Sequence, residues 1–419
     1  MEPLWLSDSD QIGHLGHVST IYIYKAKHSG DIIETMKNSL SKILVPYYPI
    51  AGRLRLTESG RMEVDCNAKG VTLIEAETTN RFGDYKDFSP SESTKELVPE
   101  VDYTQPMQEL PLLLLQLTKF HGGEGLALGV VVSHPLTDGI ALTHFINTWA
   151  KLARGETPES NEIPFLDRKL LKLPNQSAPS VDLPEWKPVP KIPAGLEQNK
   201  RSAALLKLTS SQVKKLKMAN NESMKEGARP YSTFEVISAH IWRCASKARE
   251  IGENQPTLVR FSVDIRNRLI PPLPQNYFGN ALAKTVTPKC CVGDIISNPL
   301  CHASQKIREA VYVVTNEYIR SQLCSTLGQE QLDYISKGVP YSGSHNILLT
   351  SWISMPVYEA DFGWGKPVHF GLAHVSQEDR AMITRSSDGD GVVVSMHFQT
   401  SQMQLFKKFF YHFMRVSLL

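Results

Sequence analysis

The sequence predicts an α/β protein of two units of similar size, each a mixed sheet flanked by helices. Three observations carry that expectation. The chain has 419 residues, more than one ordinary hydrophobic core accommodates. Strand-like and helix-like patterns intermingle in both halves, which favours sheets covered by helices over segregated layers. Between residues 158 and 193 lie eight of the 26 prolines, and proline at that density makes a stiff, extended connection. The units are therefore placed at 1–157 and 201–419, with a crossover loop over 158–200.

In the first unit "VSTIYIYK" (18–25) is β-branched and aromatic and reads as a strand. Over 31–45, Ile32, Ile33, Met36, Leu40, Ile43 and Leu44 recur at helical steps. Short strands follow to residue 77, with Glu58, Ser59 and Gly60 supplying a hairpin turn. The apolar runs 111–120 and 126–133, joined by "HGGEG", predict a second hairpin inside a sheet. From 140 to 154, Leu142, Phe145, Ile146, Trp149, Leu152 and Ala153 repeat at three- and four-residue steps, and Gly155 suits the helix's C-terminal cap. In the second unit 210–220 and 232–250 read as helices, the longer one burying Ile241 and Trp242. Residues 257–268, 344–355 and 389–400 read as strands, the last opened by the acidic turn "SSDGDG".

Composition excludes several classes. A net charge of +2, with no basic run carrying interleaved aromatics, argues against a nucleic-acid partner. The six cysteines lack ligand spacing, and Cys290 and Cys291 are adjacent, so free buried thiols in a reducing compartment are expected. The start "MEPLWLSDSDQIGHLG" has neither the basic nor the apolar region of a signal peptide. No segment approaches the ~20 apolar residues that span a bilayer. A cytosolic protein without membrane attachment is expected. There is no G-x-S-x-G, no Walker A sequence and no H-E-x-x-H. "GGEGLALG" joins two strands instead of opening a helix, which argues against a dinucleotide site, and "SSDGDG" lacks the terminal glutamate of a calcium loop. No bound cofactor or metal is expected.

One histidine stands out by position. In "LGVVVSHPLTDGIALTHF", His134 sits where the buried strand stops, four residues before Asp138 and the helical run. With 13 histidines in the chain, an aspartate four residues on is an ordinary coincidence; placement is what gives the pair weight. The carboxyl end of a buried strand is where α/β folds bind ligands, and an imidazole there can take a proton near neutral pH. The alternative is a part-buried histidine satisfied by a backbone carbonyl. Asp138 is positioned as a helix N-cap. "DFGWG" (361–365) sets an aromatic pair between glycines, either for close backbone approach or as a tight turn filled by Trp364. "SVDIRNR" ends a strand with Asp264, Arg266 and Arg268; if Arg266 is buried it needs a carboxylate, and Asp138 is a candidate.

"SHPLTDG" and "DFGWG", in that order, resemble the two signature motifs of the plant BAHD acyltransferases. "LWLSDSDQIG", "VPYYPIAGRL", "DCNAKGV", "FINTWAKLARGE", "PFLDRKLL", "YFGN" and "LTSWISMPVYEADFGWGKP" extend the likeness over nearly the whole chain, which is most similar to hydroxycinnamoyl transferases, especially those acting on spermidine. The resemblance implies two coenzyme A-dependent acyltransferase-like domains and a monomer that takes acyl-CoA as co-substrate. It implies that His134 is the general base, that Asp138 pairs with Arg266 as structural support, and that Asp361 and Trp364 brace the fold. It nominates Ser232, Thr233 and Phe234 for coenzyme A. Members that acylate shikimate or quinate carry an arginine in "SW-x-R-x-P" where this chain has Ser354. Serine cannot replace a guanidinium fork on a carboxylate, so an amine acceptor, a polyamine such as spermidine, is expected, with an alcohol acceptor or a non-catalytic ligand-binding relative as alternatives. Members of the family also carry a further stretch before "EPLWLSDSD" and a different tail from "FFYHFMRVSLL", so a shortened form is expected.

Overall fold

The computed structural model describes residues 2–11, 16–25, 32–172, 181, 183, 200–222, 224, 227–324, 345–374 and 379–416. Much of the proline-rich crossover, 173–180, 182 and 184–199, lies outside them.

The first half builds a sheet from β1 (His17–Tyr24), β2 (Thr72–Glu77), β3 (Leu113–Lys119) and β4 (Leu126–Ser133). All eight residues of β4 are buried, as a run that is apolar on both faces requires. β3 and β4 form the hairpin around "HGGEG", and β2 lies parallel to β3. Gly129 in mid-β4 is obligatory: a Cβ there would meet the Leu97 carbonyl oxygen at 2.1 Å. Helices α1 (Ile32–Ile43) and α2 (Gly139–Ala153) complete this core. Its centre is Trp149, fully buried, with the indole N–H donated to Ser39 Oγ at 3.0 Å. Burying such a ring contributes roughly 1.5–3 kcal/mol, and the hydrogen bond removes the cost of its polar edge.

The second half supplies β5 (Arg201–Leu208), α3 (Ser210–Asn221), α4 (Thr233–Ala248), β6 (Val259–Asp264), β7 (Leu282–Val286), α5 (Leu300–Tyr312), β8 (Ile347–Ser351), β9 (His369–Leu372), β10 (Arg380–Arg385), β11 (Val392–Gln399) and α6 (Thr400–Val416). Six of these strands form a sheet ordered β7-β6-β8-β10-β11-β5, parallel through β6, β8 and β10 and antiparallel elsewhere. Trp242 of α4 fills its core and donates to Thr257 Oγ1 at 2.9 Å. Both sheets are therefore mixed and covered by helices.

β9 departs from the split at the crossover. It lies antiparallel to β1, and the first sheet is ordered β9-β1-β4-β3-β2. A strand from the second half thus forms an edge of the first sheet and ties the halves together beside β1. Cys66 and Cys244 are free buried thiols, whereas Cys290, Cys291 and Cys301, also free, are only half-buried. Among the described residues no helix is long and apolar enough to cross a membrane.

Candidate active site

β4 runs out at Ser133, and Pro135 cannot extend a sheet ladder. His134–Leu136 instead make one 3-10 turn, closed by Thr137 N–H on the His134 carbonyl at 3.2 Å. The turn is pinned from distant parts of the chain. His134 N–H donates to the Gly16 carbonyl at 3.0 Å. Its own carbonyl accepts from Asn280 Nδ2 at 2.8 Å, and the Leu136 carbonyl accepts from Arg168 Nη2 at 2.6 Å. Asp10 joins the two clamps: it accepts from Asn280 N and Nδ2 at 2.8 and 2.9 Å, and pairs with Arg168 at 3.1 Å, both side chains fully buried. The backbone carrying the imidazole is therefore fixed independently of the ring.

Asn280→Ala is expected to leave the His134 carbonyl and Asp10 each short of a donor, costing about 1–3 kcal/mol. Because the turn itself loosens, kcat should fall more than KM for the acyl donor rises. Denaturation midpoints with steady-state kinetics check both effects; a variant with wild-type stability and kcat would show that the clamp is dispensable.

Asp138 caps α2, accepting from Ala141 N–H at 2.9 Å. Its two oxygens also take a bidentate pair from Arg266, at 2.9 and 3.0 Å, and the Ala281 N–H at 2.9 Å. Four donors, two backbone N–H groups and the two ends of the Arg266 fork, occupy the carboxylate. Burial opposes the Arg266 cation, but Asp138 and then Asp264 outweigh it and hold its pKa above the ordinary value. Gly139 follows because a Cβ there would crowd Met355 Cε at 3.1 Å and Trp352 Nε1 at 3.4 Å.

His134 opens onto a cavity of about 460 Å³. The first half lines it with β1 residues, Thr137 to Ile140 and Leu142; the second half adds residues of β6, β7, β8, β10 and β11, Phe234, and Trp352, Ser354 and Met355. Other histidines share the wall. Burial lowers the pKa of His17 and of His374, and burial with the Arg380 charge lowers that of His397 to about 4, which leaves these rings neutral near pH 7. Of the residues nominated for coenzyme A, Phe234 faces the cavity, with its ring edge-on to Phe261 at 5.2 Å. Ser232 instead caps α4 in a capping box with Glu235, and Thr233 is the first helical residue; neither lines the cavity.

"DFGWG" also stands off the cavity. Asp361 Oδ1 accepts from Gly363 N–H and Gly365 N–H at 2.8 and 2.9 Å, and both glycines have positive φ. Trp364 packs edge-on to Tyr24 at 5.2 Å, while Phe362 packs against Trp149 at 4.8 Å. The motif is a turn that seats the approach to β9 on the first core. The sequence alone does not single out Asp10, Arg168, Asn280, Lys284 or Arg380. Three of them lie in "SDSD", "PFLDRKLL" and "YFGN", but nothing in their spacing says that they converge.

An imidazole on a pinned turn at the end of a buried strand opens onto a cavity walled by two mixed sheets, and together with its relatives the chain is an acyl-CoA-dependent acyltransferase, with the thioester as co-substrate. The chain belongs to the Transferase family, whose model matches residues 2–413. It is 36% identical to shikimate O-hydroxycinnamoyltransferase of Nicotiana tabacum over 98% of this chain and 95% of that protein. It is 38% identical to hydroxycinnamoyl-CoA:piscidic acid hydroxycinnamoyltransferase of Actaea racemosa, over 97% and 95%. To hydroxycinnamoyl-CoA:5-hydroxyanthranilate N-hydroxycinnamoyltransferase HHT4 of Avena sativa it is 34% identical, over 97% and 95%. The fold matches the crystal structure of vinorine synthase with a TM-score of 0.72, at 21% identity over 97% of this chain and 92% of that one. F. graminearum TRI101 complexed with coenzyme A and T-2 mycotoxin matches with a TM-score of 0.79, at 17% identity over 96% of each chain.

Proposed function

We propose that the chain moves a hydroxycinnamoyl group from its coenzyme A thioester directly onto the nucleophile of a small acceptor, with His134 as general base. The observation that carries this is His134 itself, at the mouth of β4, facing a cavity that both halves line. In this reading the imidazole removes a proton as the acceptor nitrogen or oxygen attacks the thioester carbonyl. The tetrahedral intermediate collapses, the carbon–sulfur bond breaks, and the imidazolium returns its proton to the thiolate of coenzyme A. An alkylamine acceptor is mostly ammonium at pH 7 and must lose one proton before it attacks. Asp138 and Arg266 hold the turn, Asp361 and Trp364 brace the fold, and Phe234 contributes to the donor channel. The protein is taken to act as a cytosolic monomer.

For the acceptor, Ser354 alone favours an amine without a carboxylate, a polyamine such as spermidine. The relatives' names span O-transfer to shikimate and N-transfer to 5-hydroxyanthranilate, so both nucleophiles fall within the proposal. The test incubates the protein with p-coumaroyl-CoA and, separately, spermidine, shikimate, quinate and tyramine, and measures free-thiol release. Release with spermidine but not shikimate supports the polyamine. Release with shikimate overturns the argument from Ser354. No release with any acceptor overturns acyl transfer and leaves a ligand-binding relative.

A further inference from the structure

β7 places a primary amine on the cavity wall. The backbone of Lys284 is fixed: its N–H donates to Gln322 Oε1 at 2.8 Å, and its carbonyl accepts from Gln322 Nε2 at 3.0 Å. The side chain is held more lightly, by one hydrogen bond from Nζ to Ser262 Oγ across the strand pair at 3.1 Å. Among the described residues no carboxylate pairs with that nitrogen; the two on the cavity wall, Asp138 and Asp264, are bonded to Arg266. The cationic and titratable groups that share the wall with it include Arg268, Arg380, His397 and His134. Burial, and after it the Arg380 charge, lower the Lys284 pKa to about 8. About a tenth of the side chain is then free amine at pH 7, against less than about 0.1% for an ordinary lysine. Lys284 and His134 also border a second, narrow recess of about 10 Å³, room for roughly one water molecule. The amine therefore stands at the end of the cavity where the thioester must react.

Resting on the acyl-transfer reading above, we infer that Lys284 is a self-acylation site, which takes the acyl group of bound acyl-CoA when no acceptor is present. A lysine desolvated in a pocket beside another cation is an activated nucleophile, and four flexible carbons let Nζ leave Ser262 for a carbonyl held near His134. The Nζ lone pair attacks the thioester carbonyl, the carbon–sulfur bond breaks, and the Nζ proton ends on the departing thiolate. The products are an amide on Lys284 and free coenzyme A, and no further reactant is needed. An amide does not hand its acyl group on as a thioester does, so the adduct lies off the transfer path. It leaves an aromatic acyl chain where the acceptor would sit and stops turnover.

The test incubates the full chain with p-coumaroyl-CoA and no acceptor, then maps acylated lysines by peptide mass spectrometry. Lys284 should gain one p-coumaroyl group at least about tenfold faster than the exposed Lys214 and Lys215. Labelling should speed up as pH rises through about 8, where the free amine grows, and excess coenzyme A should slow it. The wild type should lose its rate of acceptor turnover as the label accumulates. Lys284→Arg, whose guanidinium stays protonated, should hold its own starting rate over the same incubation, with its denaturation midpoint showing that it is folded. Labelling of Lys284 no faster than that of the exposed lysines, or indifferent to coenzyme A, overturns the inference, as does an equal loss of rate in Lys284→Arg. Absence of label on Lys284 overturns it as well. Thiol release with spermidine or shikimate would then leave the acyl-transfer reading standing, whereas no release with any acceptor would remove that reading too.

Discussion

His134→Ala is expected to lower kcat by about 10²- to 10⁴-fold, the range that removal of a positioned general base commonly produces, while the fold survives. The second half of that expectation comes from how the turn is held. Three contacts that pin 134–136 are main-chain ones: the His134 N–H on Gly16, its carbonyl on Asn280, and the Leu136 carbonyl on Arg168. None uses the imidazole. Truncating the ring should leave the denaturation midpoint close to wild type and KM for p-coumaroyl-CoA little changed, because proton transfer is lost and the cavity is not. Burial holds the pKa values of the neighbouring His17, His374 and His397 down, which makes each a weaker base than an exposed imidazole. The residual rate should rise with pH for an amine acceptor, as a larger fraction of it becomes free base. Full turnover in the alanine variant would sink the general-base role.

Much of the frame of this site is legible along the chain. β4, the turn and α2 can be read because the hydrophobic period switches from an apolar run to three- and four-residue steps, with Pro135 and Gly139 marking the change. The capping role of Asp138 is local and equally legible. Its pairing with Arg266 is legible only through chemistry, since an arginine buried at the end of a strand requires a carboxylate. What cannot be read is convergence. Asp10, Arg168 and Asn280 meet beneath one peptide turn because three separate segments pack there, and no spacing rule encodes that. β9 gives another instance: four residues carry no signal about which sheet they join, yet they edge the first sheet from the second half. The acceptor shows the consequence. A single position, Ser354, argues against a carboxylate on the acceptor, and its sequence context says nothing of Lys284 and Arg380, which β7 and β10 bring onto the same wall.

Asp138→Asn carries the largest expected cost in stability, although it changes one atom. Oδ1 accepts from Ala141 N–H and Arg266 Nη2, and Oδ2 from Arg266 Nη1 and Ala281 N–H. Whichever way the amide is turned, its NH₂ faces a backbone N–H and a guanidinium, donor against donor. Arg266 keeps one neutral amide oxygen, Asp264 and two carbonyls in place of the bidentate carboxylate, with its side chain 2% exposed. Removing one partner of a buried ion pair costs about 3–5 kcal/mol, because the other charge stays buried. Losing the cap adds about 0.5–2 kcal/mol if the amide nitrogen takes the Oδ1 place. Arg266→Met should cost a similar amount by stranding Asp138, and the double variant should cost less than the two singles together by more than about 2 kcal/mol, as coupled neighbours do. Urea denaturation of the four proteins measures that difference. Strictly additive losses would mean that Asp138 and Arg266 act separately, as cap and surface brace. A large coupling, with kcat falling in both single variants, would mean that the aspartate serves catalysis by holding the backbone on which His134 stands.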